Sequence, residues 1–408
     1  MRHSDAVYAF LVAFAAAALL TPLTKRLAWR VGAVDQPRER GLSNRAMPRL
    51  GGLAILAGAL LAAIIWLPDR QSTRGILIGA VIIAAVGAAD DALGLAPQWK
   101  LSGQIVAALI PVLSGVKVTN LTLPVLGAIQ FHSLSGVITM LGLVAVMNVV
   151  NFSDGVDGLA AGVCSISGVA FTIIAFDLHH SAAAILAAAT AGAAAGFLIH
   201  NFHPASVIMG DSGANLLGYL LGVIAVEGSL KTNAVVTLIT PLVVLAVPFL
   251  DTSFVIAKRL KYKRAPWTAD ANHFHHRMAR IGFSQRRTVL YLYAWTLCLA
   301  GIGVALRFVP YSDHHGHLHA GWSALMGAFG LLGAAASIYL VYVLEILKFK
   351  RVRTRQLRQL DPDTAEWQID RQVERDLETG EFRAVGAPDE PAPRPRRTEE
   401  TGEFTRVS

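Results

Sequence analysis

Long apolar runs separated by short polar segments dominate the chain from residue 6 to residue 347. A helix rises 1.5 Å per residue, so about 20 apolar residues cross the roughly 30 Å hydrocarbon core of a bilayer. The pattern therefore predicts about eleven transmembrane helices. Their approximate limits are 6–24, 50–67, 75–91, 101–118, 135–150, 158–177, 182–200, 212–227, 233–257, 289–309 and 321–347.

The composition favours the same class of protein. Of the 408 residues, 54% are hydrophobic and 16% are charged, which is too little charge to cover the surface of a soluble protein of this size. The two cysteines, Cys164 and Cys298, lie inside apolar runs and predict neither a disulfide framework nor a zinc site. We therefore expect an all-α polytopic integral membrane protein.

The basic residues predict an orientation in the membrane. Lys and Arg are concentrated in segments 25–49, 258–288 and 348–358, whereas the intervening loops contain few. Because basic loops stay in the cytoplasm, the N-terminus should lie outside and the C-terminus inside. The net charge of +8 is explained by these loops, so we expect no nucleic-acid partner.

In this orientation the polar motifs share the cytoplasmic face. They occupy residues 90–100, 148–162, 200–215 and 269–278. An ion-coupled transporter, the main rival from another class, would instead bury its acids near the midplane and show an inverted repeat. The spans that end at residues 91 and 148 are short for a bilayer, which predicts that the motifs are recessed at the membrane surface.

The composition changes near Arg351, where Arg, Glu, Pro and Thr replace the apolar residues. We therefore divide the chain into a membrane domain, 1–347, and a cytoplasmic tail, 348–408, that is largely disordered after a short helix. The tail contains ETGEF twice, around Thr379 and Thr401. The repeat is either a chance product of a simple sequence or a docking or phosphorylation site for a cytoplasmic partner.

The segment NVVNFSDGVDGLAAG places Asn148, Asn151, Asp154 and Asp157 three residues apart. One continuous helix would spread them over half its circumference, since each step of three drifts by about 60°. We expect instead a helix end, a tight turn, and a new helix from about Gly158. The free N–H groups of that new helix can bind a nucleotide or a phosphate, although Asn and Asp also serve as ordinary helix caps.

Other polar clusters favour phosphate chemistry. The adjacent acids Asp90 and Asp91 are unfavourable near lipid, and a divalent cation or a role as a base would explain them. Asp211 precedes small residues and a span, which suits either Mg²⁺ or a helix cap. Together with the His and Arg residues of ADANHFHHRM, these acids predict phosphoryl transfer, in which cations hold a pyrophosphate.

Five segments resemble the motifs of the polyprenyl-phosphate N-acetylhexosamine-1-phosphate transferases of glycosyltransferase family 4, over roughly residues 20–300. The segments are PRLGGLAI, DDALGLAPQWK, NVVNFSDGVDGLAAG, MGDSGANLLG and NHFHHRM. The resemblance implies that a polyprenyl phosphate, undecaprenyl in most bacteria, attacks the sugar-bearing phosphate of a UDP-N-acetylhexosamine and releases UMP. It also implies a Mg²⁺ cofactor, with Mn²⁺ as a substitute, and a bacterial plasma-membrane enzyme with its active site on the cytoplasmic face.

The resemblance assigns roles by position. Asp90, Asp91 and Asp154 are the implied catalytic residues, and Asp211 with Asn151 is the implied metal site. Lys100 and Arg49 are expected to bind the lipid phosphate. The implied nucleotide- and pyrophosphate-binding residues are Asn151, Asp157, His273, His275, His276 and Arg277.

The loop motif HFHHR indicates a branch of this family. It lacks the three consecutive histidines followed by Phe and Glu of the muramyl-pentapeptide branch, and it resembles the branch that handles simple N-acetylhexosamines. We expect UDP-GlcNAc as the donor, although UDP-GalNAc stays open as an alternative. The polymer that the product starts and the oligomeric state, including a homodimer, also stay open. We favour direct attack by the lipid phosphate over a covalent Asp intermediate, because a phosphate with a second pKa near 6 is already largely dianionic.

Overall fold

The computed structural model describes residues 2–36, 46–123, 127–228, 245–246, 249–250, 284–309, 320–339, 353–355, 357–358 and 366–379. The first five helices are α1 (His3–Val31), α2 (Gly52–Trp66), α3 (Gln71–Leu93), α4 (Pro97–Leu113) and α5 (Ser135–Ser153). They are followed by α6 (Leu159–Asp177), α7 (Ser181–Asn201), α8 (Gly210–Gly228), α9 (Gln285–Phe308), α10 (Ala320–Tyr339) and α11 (Glu366–Thr379). Two antiparallel hairpins, which the sequence analysis did not predict, join β1 (Val34–Asp35) to β2 (Met47–Pro48) and β3 (Asn120–Leu123) to β4 (Gly127–Gln130).

The prediction of a multi-pass membrane protein is confirmed. Within the described residues, 7 helices are long and apolar enough to cross a membrane. They are His3–Val31, Gln71–Leu93, His132–Ser153, Leu159–Asp177, Ser181–Asn201, Gln285–Ala305 and Ala320–Ser337. The span expected at 233–257 lies mostly outside the described residues, so the total of eleven and the orientation stay predictions.

Two helices are longer than the sequence predicted. Helix α3 has 23 residues and continues through Asp90 and Asp91, and α5 has 19 residues and continues through Asn148 and Asn151. The expectation that short spans end at these residues was wrong. The predicted limits, 75–91 and 135–150, included Asp90, Asp91 and Asn148 but stopped two and three residues short of the helix ends. The backbone stays helical there because these side chains find partners on neighbouring helices.

Helix α8 lies at the centre of the bundle. Nearly all of its residues are buried, and it packs against α3, α5 and α7. A helix that is buried on all sides must be apolar on all sides, which agrees with its sequence from Leu216 onward. Helices α1 and α2 cover α7, while α9 packs on α6 and α10 on α9. This arrangement brings the N-terminus of α8, which carries Asp211, next to the ends of α3, α4 and α5.

The tail contains one well-defined helix among the described residues. In α11, Ile369 and Val373 are buried and pack with Leu357, and Arg358 pairs with Glu366 at 2.5 Å. This helix agrees with the short helix expected at the start of the tail. The remainder of residues 348–408 lies mostly outside the described residues, so its disorder stays a prediction.

Candidate active site

The N-terminus of α8 is held against the segment that precedes α2. Main-chain hydrogen bonds of 2.8 to 3.1 Å join residues 48–52 to residues 208–209. Gly210 has a φ of 72°, and a side chain there would collide with the carbonyl oxygen of Arg49. The close approach places Arg49 beside the first turn of α8.

Asp91 caps α8 from the neighbouring helix α3. Its Oδ1 accepts a hydrogen bond from the backbone N–H of Asp211 at 2.9 Å, and its Oδ2 accepts one from Ser212 at 3.0 Å. The Nε of Arg49 lies 3.4 Å from the same Oδ1, and the Asp91 side chain is 0% exposed. A carboxylate placed in this way fixes the start of α8. Its predicted catalytic role, and the lipid-phosphate role of Arg49, stay predictions.

Asp90 points to a different partner. Its Oδ1 accepts a hydrogen bond from the Leu95 backbone N–H at 2.8 Å, and its Oδ2 lies 3.3 Å from the Nζ of Lys100. The same Nζ donates to Oδ2 of Asp211. The side chains of Asp90, Lys100 and Asp211 keep 13%, 20% and 19% of their exposure. A substrate can therefore reach this cluster, whereas it cannot reach Asp91.

Asn151 completes the cluster from α5. Its Nδ2 donates to Oδ1 of Asp211 at 2.8 Å, so both carboxylate oxygens of Asp211 have partners. The ends of four helices, α3, α4, α5 and α8, thus meet at one carboxylate. We call the group formed by Asp90, Lys100, Asn151 and Asp211 the acidic cluster.

A buried amide network lies beneath the acidic cluster. Gln104 donates to Asn215 at 2.8 Å and accepts from Asn148 at 2.8 Å, and Asn215 donates to the Asp211 carbonyl at 2.8 Å. Asn148, expected to line the site, belongs to this network. Sequence reasoning missed Gln104, although its position one turn after Lys100 on an apolar helix was a usable signal.

Asp154 ends α5 and lies near the same acids. Desolvation, followed by the negative charges of Asp211 and Asp91, raises its pKa to about 7. A carboxyl group with a pKa in this range can exchange a proton near neutral pH. Asp154 is therefore a candidate for proton transfer or for nucleophilic attack.

The turn between α5 and α6 presents Asp157 at a second position. Its Oδ2 accepts hydrogen bonds from Nδ1 of His203 at 2.9 Å and from the backbone N–H of Ala205 at 3.1 Å. The predicted helix end, turn and new helix are confirmed, because α5 ends at Ser153 and α6 begins at Leu159. His203 lies within the polar segment 200–215 that the sequence placed on the cytoplasmic face, but no role had been assigned to it.

Gly158 is the residue on which this turn closes. Its φ of 80° is a conformation that favours glycine. Its N–H donates to the buried Asn201 at 3.0 Å, and its carbonyl accepts from the Tyr293 hydroxyl at 2.5 Å. Contacts from α7 and α9 therefore fix the start of α6, where free N–H groups favour an anion.

The loop motif with His273, His275, His276 and Arg277 lies outside the described residues. Helix α9 begins shortly after it, at Gln285. In the first turn of α9, Nε of Arg286 donates to the carbonyl of His203 at 3.1 Å. The chain that leaves this motif is therefore anchored next to Asp157.

The oxygen atoms of the acidic cluster can be compared with the ligands that a divalent cation prefers. Among the described residues, no three His, Cys, Asp or Glu side chains form a metal-binding group. Mg²⁺ usually takes only one or two carboxylates and completes its shell with water and substrate phosphates. Asp211 and Asp90 with the amide of Asn151, partly exposed, fit such a shared site.

Comparison with known proteins shows the family of the chain. Residues 73–229 match the model of glycosyl transferase family 4, a range that includes every member of the acidic cluster. "Probable undecaprenyl-phosphate N-acetylglucosaminyl 1-phosphate transferase" of Bacillus subtilis is 34% identical over 291 residues, which cover 70% of this chain and 81% of the relative. The chain therefore belongs to glycosyl transferase family 4.

Further relatives fall into two groups. Decaprenyl-phosphate N-acetylglucosaminephosphotransferase of Mycolicibacterium smegmatis is 36% identical over 316 residues, covering 70% of this chain and 78% of the relative. Phospho-N-acetylmuramoyl-pentapeptide-transferase of Moorella thermoacetica is 31% identical over 291 residues, covering 67% of this chain and 87% of the relative. Identity is higher to the N-acetylglucosamine group than to the muramoyl-pentapeptide group.

Proposed function

We propose that the protein transfers N-acetylglucosamine 1-phosphate from UDP-GlcNAc to a polyprenyl phosphate such as undecaprenyl phosphate, with release of UMP. The observation that carries the proposal is the acidic cluster, where four helix ends bring two carboxylates, an ammonium and an amide together in a partly exposed position. The names of the more similar relatives support the sugar and the acceptor. The lipid-linked product would start a cell-envelope glycan.

Asp211 and Asn151 would hold Mg²⁺, with Asp90 as a further oxygen donor. The ion supplies charge neutralisation for the diphosphate of the donor, and Mn²⁺ can take its place. Asp91 and Arg49 fix the backbone that carries Asp211, through the hydrogen bonds at the start of α8. The chain therefore orients the metal-binding carboxylate before any substrate arrives.

The lipid phosphate attacks the sugar-bearing phosphorus directly. An oxygen of the lipid phosphate forms the new P–O bond, the bond to the UMP oxygen breaks, and UMP leaves with the electron pair. No proton needs to be removed from a dianionic phosphate. Asp90 positions this phosphate, Lys100 pairs with it, and Asp157 holds the nucleotide together with His273, His275, His276 and Arg277.

An exchange experiment separates direct attack from a covalent intermediate. Purified enzyme is incubated with UDP-GlcNAc and labelled UMP in the absence of polyprenyl phosphate. Direct attack predicts that no label enters UDP-GlcNAc. Exchange that disappears in Asp154→Asn would instead identify Asp154 as a nucleophile and would overturn this part of the proposal.

A donor panel tests the reaction itself. Purified enzyme with undecaprenyl phosphate and Mg²⁺ is given UDP-GlcNAc, UDP-GalNAc or UDP-MurNAc-pentapeptide, and UMP release and the lipid product are followed. We expect UDP-GlcNAc to be fastest. Turnover of the muramyl-pentapeptide nucleotide at a comparable rate would move the protein to the second group of relatives, whereas a preference for GalNAc would change only the sugar.

The site lies on the cytoplasmic face of the bacterial plasma membrane, with the N-terminus outside. The basic segments 25–49 and 258–288 support this orientation. A cysteine in place of Ser284, in an otherwise cysteine-free protein, should react with an impermeant maleimide only from the cytoplasm. One in place of Ser312 should react only from outside, and labelling of both from the same side would refute the orientation.

A further inference from the structure

Lys100 bridges two carboxylates that belong to different helices. Its Nζ lies 3.3 Å from Oδ2 of Asp90 on α3 and donates to Oδ2 of Asp211 on α8. Lys100 itself belongs to the first turn of α4. A single ammonium therefore holds the start of α4 against the ends of two other helices.

The charges explain why an ammonium occupies this position. Two carboxylates that share one partner atom lie close enough to repel each other unless a positive charge is placed between them. The neighbouring cation, Arg49, is paired with the buried Asp91 and is held at the other side of the α8 N-terminus. Lys100 is thus the cation that neutralises Asp90 and Asp211, the two partly exposed carboxylates of the acidic cluster.

The same oxygens are those that a divalent cation requires. Oδ1 of Asp211 accepts from Asn151, so Oδ2, the atom bound to Lys100, is the oxygen that a metal would approach from the Asp90 side. An ammonium and a metal ion cannot both occupy the space between these two carboxylates. Lys has a flexible four-carbon stem, so its charged end can move away while α4 stays in place.

We propose that Lys100 is an internal counter-cation that a divalent metal displaces, and that the displaced ammonium then binds a phosphate of the substrate. This inference rests on the proposed metal role of Asp211. It has a thermodynamic consequence, because coupling between two ligands is reciprocal. Metal binding frees Lys100 for phosphate, and phosphate binding by Lys100 frees the carboxylates for metal, so the two ligands bind cooperatively through one side chain.

A labelling experiment tests the displacement in the wild-type protein. Lysines are acetylated briefly in detergent, with and without Mg²⁺, and the extent of modification at each lysine is measured by mass spectrometry. We expect Mg²⁺ to increase labelling of Lys100, and further addition of a short-chain polyprenyl phosphate to decrease it again. Lys117, which lies in the loop after α4, is the internal control and should not respond. An unchanged Lys100 signal on addition of Mg²⁺ would overturn the displacement.

A binding experiment tests the competition directly. Free Mn²⁺ is measured by electron paramagnetic resonance during titration of wild type, Lys100→Met and the matched control Lys117→Met, each with and without a short-chain polyprenyl phosphate. Without this phosphate, Lys100→Met should bind Mn²⁺ at least about fivefold more tightly than wild type, the lower end of typical coupling between sites. The lipid phosphate should tighten Mn²⁺ binding more in wild type and Lys117→Met than in Lys100→Met.

The outcomes distinguish this inference from the proposed function. If wild type binds Mn²⁺ but Lys100→Met binds it no more tightly, the counter-cation role is refuted and the metal role of Asp211 stands. If wild type binds no Mn²⁺ with or without the lipid phosphate, the metal role fails and the inference fails with it. Tighter binding in the variant together with lower turnover would support both.

Discussion

The ends of α3 and α5 each carry a polar motif, but the two motifs distribute their side chains differently. On α3, Asp90 and Asp91 are consecutive, and a helix separates consecutive residues by about 100°. One therefore faces Lys100 in the acidic cluster, while the other is buried as the cap of α8. Two identical side chains thus have different environments because the helix turns one toward α4 and the other toward the start of α8.

The α5 motif crosses the end of its helix, and its polar residues separate further. Asn148 joins the buried amide network, Asn151 binds Asp211, and Asp157 lies beyond the turn with His203. The comparison shows that a motif that is compact in sequence need not form one site. The α3 motif divides into an exposed and a buried half, and the α5 motif divides among three partners.

The largest effect is expected at Asp211, where the two motifs meet. Asp211→Asn should lower kcat at least about a thousandfold, because metal-assisted charge stabilisation supplies several kcal/mol of the barrier reduction. UMP release at saturating substrates and ordinary Mg²⁺ measures it. Asp69→Asn, a change in an exposed acid paired with Arg74 between α2 and α3, is the matched control. Near-normal turnover in Asp211→Asn would refute its role.

The next prediction separates the two halves of the α3 motif. Asp90→Asn should lower kcat about a hundredfold with little change in thermal stability, because its side chain faces the site opening. Asp91→Asn should destabilise the protein by about 1–3 kcal/mol, since an amide cannot accept all the hydrogen bonds and the ion pair that the buried carboxylate makes. Thermal unfolding in detergent and UMP release measure both. Equal losses of stability would contradict the division.

A smaller effect is expected in the outer part of the α5 motif. His203→Ala should raise the KM for UDP-GlcNAc about tenfold, roughly 1.4 kcal/mol, because Asp157 loses a side-chain donor. His203→Asn can return a donor near the position of Nδ1 and should recover most of the loss. The KM for the lipid should not change, and His200→Ala, which alters a histidine bound to the Ala18 carbonyl, serves as the control. A change in kcat alone would contradict a role in donor binding.

The smallest effect is expected from the tail. Every residue of both motifs precedes Arg355, so truncation after that residue should change kcat/KM by less than about tenfold, equivalent to roughly 1.4 kcal/mol. UMP release by the purified truncated enzyme measures the effect. A larger loss would show that a third region, which includes α11, contributes to the site.

The sequence predicted the helices and the turn after α5, but it missed where α3 and α5 end and how their polar side chains are paired. The apolar runs predicted the helices, and Gly158 marked the turn after α5, because both depend on local preferences. The longer ends of α3 and α5 were missed because side chains from other helices, such as Gln104 and Lys100, stabilise polar residues inside a helix. The partition of Asp90 from Asp91 was missed for the same reason, since it depends on where α8 begins.

His203 and Gln104 show most clearly which site residues a single sequence does not identify. Neither had been assigned a role, and each acquires one through a residue far away in the chain, Asp157 for the first and Asn215 for the second. Pairings between distant segments depend on the packing of the bundle. A single sequence can mark Gln104 as a polar residue in an apolar run that needs a partner, but it does not identify that partner.

The main-chain bonds between residues 48–52 and 208–209 also have a consequence for biosynthesis. At about 5–20 residues per second, the ribosome needs roughly 8 to 30 seconds to make the chain that separates these two segments. Arg49 precedes that interval and Asp91 is made early in it, so both are present before the segment that they hold exists. The pocket therefore assembles only after the middle of the chain has been inserted, and a nascent protein that stalls earlier is inert toward its substrates.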